Sequence, residues 1–270
     1  MDTTERKQAS YLDAIDRIVN QIIAPNAAEV DRNGTYPRAA LQAMGEAGLL
    51  GLISSAEVGG LGQAHRAAAE VVERIAGACG STAMVACMHY AGAAVIEAHG
   101  KRDIREAIAR GQHITTLAFS ESGSRSHFWA PVSSATRTPD GIRLDAKKSW
   151  VTSAGQADSY VWSSKPLAAE GASSIWLVPA DAPGLSIPTP FDGMGMRANY
   201  SAPVTAEGVV VSEDALLGED GKGFDVMMGI VLPYFQLMNA AASLGLTDSA
   251  IQKTAANAPK RSPCETAIRI

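Results

Sequence analysis

His113-Ile114-Thr115-Thr116-Leu117-Ala118-Phe119-Ser120-Glu121-Ser122-Gly123-Ser124-Arg125-Ser126 is the stretch that decides the fold. Its first half is a run of β-branched and apolar residues, and its second half is a cluster of Ser and Gly. That order reads as a strand closed by a turn. The residues before it repeat at a helical period. Ile15, Ile18, Val19, Ile22 and Ile23 recur at spacings of three and four, which puts them on one helix face. Pro25 and Asn33-Gly34 are expected to punctuate the end of that region. Pro37 opens a second helix, with Leu41, Met44, Leu49 and Leu50 as its apolar positions. After a tight connection at Gly59-Gly60 and Gly62, a helix runs from about Arg66 to Ala78 on Val71, Val72 and Ile75. The next, from about Ser81 to His99, is apolar nearly all round, with Val85, Met88, Ala91 and Val95, and is expected at the centre of its bundle.

Beyond Phe119 the pattern stays strand-like. Gly141-Ile142-Arg143-Leu144-Asp145 alternates, as does the neighbourhood of Tyr160-Val161-Trp162. Ser174-Ile175-Trp176-Leu177-Val178 and Val209-Val210-Val211 read as further strands, with Gly and Pro between the runs. Short strands with no helical pattern among them predict an antiparallel all-β module, a small barrel or a sandwich. After Gly218 and Gly223 a helical pattern returns on Val226, Met227, Ile230, Val231, Leu237, Met238 and Leu244, with an irregularity expected at Pro233. The predicted division is an all-α domain at 1–112, a β-domain at 113–222 and a partial helical domain at 223–270.

The composition narrows the function classes. Of 270 residues, 46% are hydrophobic and 19% charged, which excludes a disordered or collagen-like chain. A net charge of −5 argues against a nucleic-acid partner. Cys79, Cys87 and Cys264 form no disulfide framework, and Cys79 and Cys87 lie in an apolar stretch where buried thiols are the ordinary use. Met1 to Gln8 is polar, and no uninterrupted run reaches ~18 apolar residues. A cytoplasmic protein without a membrane span is therefore expected. The five histidines, His65, His89, His99, His113 and His127, are dispersed, so no metal site is expected.

Two segments carry chemistry. In Phe119 to Ser126, a strand ends in hydroxyls and in backbone N–H groups released by glycine, a geometry that can grip ring nitrogens, ring carbonyls or a phosphate. In Lys148-Ser149-Trp150-Val151-Thr152-Ser153-Ala154-Gly155, a flat aromatic stands beside a hydroxyl donor. Each alone has an ordinary reading, as a turn after a strand and as a core tryptophan.

Together, and in order, the motifs resemble the acyl-CoA dehydrogenase family of flavoproteins over about residues 10 to 255. The matching segments are Tyr36-Pro37, Gly48 to Leu52, and Glu57-Val58-Gly59-Gly60-Leu61-Gly62. They continue with Ser120 to Ser126 in the place of the family's T-E-P-x-x-G-S-D signature, and with Lys147 to Ala154 followed by Ala157-Asp158. Gly193-Met194-Gly195-Met196-Arg197, Val209 to Ser212, Leu216-Leu217-Gly218 and Gly221-Lys222-Gly223-Phe224 complete the set. The resemblance implies an α+β fold with an N-terminal helical domain, a middle antiparallel β-barrel domain and a partial C-terminal helical bundle. It implies FAD, with FMN as the alternative, held by Phe119, Ser120, Ser126, Trp150 and Thr152. Met88, His127, Tyr234 and Phe235 are candidates for the substrate pocket. The partners implied are an acyl-CoA or other hydrophobic small molecule, an electron-transfer flavoprotein or a flavin reductase, and further copies of the chain in a homo-dimer or homo-tetramer.

The departures bear on the chemistry. His127 stands at the signature's aspartate, Ser122 at its proline and Arg125 at a glycine. Phe235 stands where most members have an arginine, and Tyr234 where one branch places its catalytic glutamate. Arg261 falls near the R-x-x-F-G segment, but Pro259, Ser262 and Pro263 break the helix expected there. The length itself is expected to cover two modules and part of a third. Three readings follow. One is FAD-dependent α,β-desaturation of an acyl-CoA, with no catalytic base identified. The second is a flavin-dependent monooxygenase or another non-dehydrogenating flavoenzyme of the same fold. The third is a non-catalytic binding protein.

Overall fold

The computed structural model describes residues 3–125 and 127–258. Helix α1 (Thr3–Ile18) passes through a π-turn (Val19–Ile23) into α2 (Ala24–Asn33). The helix therefore runs through Pro25 instead of stopping there. Proline lacks an N–H and crowds the carbonyl four residues back. In the π-turn the Ala24 N–H reaches back to the Val19 carbonyl, which resets the register just before the proline. The stop comes at Gly34, whose φ of 61° is the left-handed cap that glycine adopts freely. Helices α3 (Arg38–Glu46), α4 (His65–Ala78), α5 (Gly80–His99) and α6 (Arg102–Ala109) follow. Ile15, Leu41, Met44, Val71, Ile75, Tyr90 and Val95 are buried in one core, with α5 at its centre as its all-round apolar pattern predicts.

The strands are β1 (Thr115–Ala118), β2 (Ser134–Thr138), β3 (Gly141–Val151), β4 (Ser159–Ser164), β5 (Ser174–Pro179), β6 (Leu185–Ser186) and β7 (Ala202–Val211). They do not form the expected antiparallel barrel. They make two sheets, one of order β1-β4-β5 and one of order β2-β3-β7-β6. The first is mixed: β1 runs parallel to β4, from Thr115 opposite Ser159 to Ala118 opposite Trp162. The physical reason lies in burial. Every residue of β4 is buried, so this sheet has no solvent face. Leu117, Phe119, Val161 and Ile175 join the helical core, while Ala118, Tyr160, Trp162, Trp176 and Val178 pack against the second sheet. A sheet sandwiched between helices and another sheet cannot also curl to close on itself. Strand β3, by contrast, keeps alternation along most of its length, with Ile142, Leu144 and Ala146 inward.

The chain then becomes helical again over Gly223–Asn257, as α7 (Gly223–Val226), a second π-turn (Met227–Val231) and α8 (Leu232–Asn257). Pro233 follows this π-turn at the same distance as Pro25 follows the first, so the expected irregularity takes the same form. Helix α8 lies close along α4. A Cβ at Gly245 would sit 2.2 Å from the Glu73 carbonyl oxygen, so only glycine permits the approach. By length and composition alone this helix could cross a membrane, its best 18-residue window having a mean hydropathy of 1.3. Here Met238, Ala241, Ala242 and Gly245 are buried against the rest of the fold, while Leu237, Leu244 and Ile251 are exposed.

Candidate flavin and substrate site

A cavity of about 340 Å³ opens where the ends of β1 and β3 meet α5 and α8. Alternation aims Leu117 and Phe119 into one space, and at the end of β3 a register shift between Lys148 and Val151, with Trp150 left-handed, brings Trp150 and Thr152 to the same space. Helical spacing does the same for Met84 and Met88 on α5, and for Leu232 and Gln236 on α8. Val231 and Phe235 complete the helical side, and Phe128 also lines the cavity. The lining is mostly apolar, with hydroxyls from Ser120, Ser149 and Thr152 on the strand side. A larger cleft of about 690 Å³, near His99, His113 and Asp158, is more polar and receives none of these strand-end groups.

The site residues read from the sequence are placed as follows. Phe119, Ser120, Trp150, Thr152, Met88 and Phe235 line the cavity together. Ser126 lies outside the described residues. His127 is exposed and packs 5.0 Å from the Trp129 ring, and Tyr234 stacks 3.9 Å from the His65 ring; neither lines the cavity. Phe128, whose bulk beside Trp129 suits a hydrophobic pocket, and Ser149, inside the Lys148 to Gly155 segment, also line it, whereas Met84, Leu117, Val231, Leu232 and Gln236 carry no site role in the sequence reading. The i, i+4 partner of Met88 and the period-two partner of Phe119 were the signals for Met84 and Leu117.

Trp150 is the most unusual of the set. Its side chain is 66% exposed, its ring lies 4.3 Å from Phe191, and its φ of 56° is a left-handed conformation that bulky residues rarely take. Ser153 shares that conformation and is anchored by the Tyr36 hydroxyl at 3.0 Å. Thr152 is buried, with its hydroxyl 3.4 Å from that of Ser201, a loose contact that leaves it able to serve a ligand. Beneath the strand ends, Lys148 and Glu121 form a fully buried ion pair. Burial pushes the Glu121 carboxyl up, but Lys148 and the Ser133 hydrogen bonds outweigh it and hold it below its ordinary range. Burial pushes Lys148 down, against the pull of Glu121.

Residues 5–111 match the family model "Acyl-CoA dehydrogenase, N-terminal domain", and residues 116–209 match "Acyl-CoA dehydrogenase, middle domain". The chain belongs to the acyl-CoA dehydrogenase family. A probable acyl-CoA dehydrogenase of Bacillus subtilis is 28% identical over 264 residues, covering 95% of this chain and 69% of that protein. The human mitochondrial short-chain specific acyl-CoA dehydrogenase is 30% identical over 236 residues, covering 84% of this chain and 57% of that protein. A solved structure of a probable acyl-CoA dehydrogenase from Mycobacterium abscessus covers all of this chain and 72% of its own, at 25% identity and a TM-score of 0.84. The chain thus spans little more than half the length of several of the family members it matches. The expected cytoplasmic location is corrected by the relatives: the human, bovine and mouse short-chain enzymes and a rice isovaleryl-CoA dehydrogenase are named as mitochondrial.

Acyl-CoA dehydrogenase family membership implies FAD rather than FMN, and the donor set fits the ring of that cofactor. The strand side of the cavity offers flat apolar surface at Phe119 and Trp150, with hydroxyls at Ser120, Ser149 and Thr152. That is what a planar, apolar ring with polar atoms along one edge requires.

Proposed function

We propose that this chain carries the flavin-binding and acyl-binding walls of an FAD-dependent dehydrogenase that introduces an α,β double bond into an acyl-CoA. The observation that carries the reading is the cavity itself, with a hydroxyl-bearing strand side facing a helix side that is apolar apart from Gln236. FAD, when bound, supplies the two-electron oxidation. Ser120 and Thr152 would hold the polar edge of the ring, and the Trp150 indole would cover its face. Met84, Met88, Val231 and Phe235 would enclose the acyl chain and exclude water. Removal of an α-proton needs a base within hydrogen-bond reach. Among the described residues no carboxylate or histidine lines the cavity, so the base is assigned to none of them.

The divisions 1–112, 113–222 and 223–270 are proposed as the working modules, in keeping with the two family matches. An electron-transfer flavoprotein is proposed as the electron acceptor. A homo-dimer or homo-tetramer is proposed because Leu237, Leu244 and Ile251 leave an apolar face of α8 uncovered.

A second reading is oxygen insertion by reduced flavin, supplied by a flavin reductase. It is favoured by Phe235, an apolar ring in the cavity wall where most of the family carries an arginine. One experiment separates the readings. The purified protein, loaded with FAD, is mixed anaerobically with acyl-CoAs of increasing chain length. Bleaching of the visible flavin band supports dehydrogenation. No bleaching with any of them, together with a hydroxylated product when NADH, a reductase and O₂ are supplied, moves the assignment to the second reading. Failure to retain any flavin points to a binding protein.

A further inference from the structure

We propose that the Glu121–Lys148 pair is a positioning clamp for the flavin, locking the strand end that carries Ser120 to the strand end that carries Trp150 and Thr152. The inference rests on the FAD reading above and extends it to residues that do not line the cavity. Both side chains are completely buried. Glu121 Oε1 accepts from Lys148 Nζ at 2.5 Å and from the Ser133 hydroxyl at 2.5 Å. Its Oε2 accepts from the backbone N–H groups of Val132 at 2.7 Å and Ser133 at 2.9 Å. Lys148 Nζ also donates to the Ser163 carbonyl at 2.6 Å and the Ser163 hydroxyl at 2.9 Å. The ammonium thus has three acceptors and the carboxylate four donors, so neither charge is left wanting.

What the pair joins is specific. Glu121 follows Ser120, and Lys148 precedes Ser149 and Trp150. On either side of the pair the backbones are stitched: the Ser149 N–H donates to the Ser120 carbonyl at 2.9 Å, and the Ser122 N–H to the Lys147 carbonyl at 3.0 Å. Through Ser163 the lysine also reaches β4, so one ammonium ties both sheets together. Two buried apolar side chains of similar volume would often be as stable as such a pair. Stability alone therefore does not account for it, whereas fixed geometry does. Its nearest neighbour in the chain with strained backbone is Trp150, whose left-handed conformation persists only where the surroundings over-determine it.

The test compares the wild-type chain with the double variant Glu121→Leu/Lys148→Met, which removes both charges and keeps the volume. The readouts are the thermal midpoint, the FAD dissociation constant, the visible circular dichroism of bound flavin, and hydrogen exchange of residues 119–124 and 147–152 without FAD. The double variant leaves the Val132 and Ser133 N–H groups without their acceptor, so it is expected to fold with a lowered midpoint, to bind FAD at least about tenfold more weakly, and to show altered flavin dichroism. Both segments should exchange faster. A folded double variant with wild-type affinity, dichroism and exchange overturns the proposal. Should the double variant not fold, Ser133→Ala, which removes one bond to Glu121 and lies away from the cavity, replaces it. There, unchanged affinity and exchange overturn the clamp, and a graded loss of both supports it. A wild-type chain that takes up no FAD overturns the function reading instead, and the exchange comparison then decides whether the two strand ends are locked.

Discussion

On its strand side the cavity is held by hydrogen bonds and charge; on its helix side it is held by shape. The strand side rests on the buried Glu121–Lys148 pair, on the backbone bond from Ser149 to Ser120, and on the left-handed residues Trp150 and Ser153. The helix side presents Met84, Met88, Val231, Leu232 and Phe235 from helices whose polar fixings are few. Two buried ones lie side by side on α5: His89, with Nε2 2.9 Å from the Leu50 carbonyl and Nδ1 3.3 Å from the Thr115 N–H, and Tyr90, whose hydroxyl donates to the Leu49 carbonyl at 2.8 Å. The difference teaches a division of labour. Directional bonds suit a surface that must match one rigid ring. Apolar side chains on helices can be exchanged for others of similar volume, which suits a surface that varies with the substrate.

The largest expected effect comes from breaking the strand side. Lys148→Ala leaves a buried carboxylate without its countercharge, and should cost about 3–5 kcal/mol of stability. A urea titration followed by far-UV dichroism measures it. A loss below about 1 kcal/mol would place the pair among ordinary surface bridges and erase the contrast.

Next comes the pH dependence of the helix side. Burial holds His89 neutral, with its pKa pushed down to about 4. In the unfolded chain the same imidazole titrates near ~6.5. The unfolded state therefore binds the proton first. The stabilisation from the buried neutral ring is complete above pH ~6.5 and is lost as the pH falls towards 4, amounting to about 3 kcal/mol in all. His89→Gln, a polar side chain that does not titrate, should flatten this part of the stability profile. Equal acid sensitivity in both proteins would show that other groups dominate.

How much of this was legible beforehand follows from the range of each interaction. The central helix α5 and the strand ends at Phe119 and Trp150 were readable because burial and period are local properties. The pairing of β1 with β4 was not, since the parallel partners Thr115 and Ser159 lie far apart in the chain and nothing in either segment names the other. Hence the barrel expectation failed while the strands themselves stood. The Lys148–Glu121 bond was invisible for the same reason: each residue reads as an ordinary exposed charge until the fold buries both. Pro25 reads as a stop because the π-turn that accommodates it has no strong sequence signal of its own.

A smaller effect is expected from resizing the helix side. Phe235 is partly exposed, so Phe235→Ala should change the melting temperature little. It should instead lengthen or broaden the range of acyl chains that bleach the flavin, shifting the ratio of kcat/KM values between long and short substrates by roughly tenfold or more. Unchanged chain-length preference would remove Phe235 from the acyl wall.

The smallest effect is expected at Pro233, and it sharpens the comparison most. Either the proline forces the Met227–Val231 π-turn, or the turn is fixed by what lies beyond its ends. The packing favours the ends. A Cβ at Gly223 would meet the Ser173 backbone at 2.8 Å, and one at Gly245 the Glu73 carbonyl at 2.2 Å, so the helical run is docked closely both before and after the turn. Restoring an α-helical register would rotate one end against the other by about 100° and break one of those contacts. Pro233→Ala should therefore keep the π-turn, alter stability by no more than about 1 kcal/mol, and leave FAD affinity and chain-length preference unchanged. A shift in chain-length preference with this variant would show that a backbone substitution behind the cavity re-aims Val231 and Phe235. The helix side would then depend on directional backbone geometry as the strand side does.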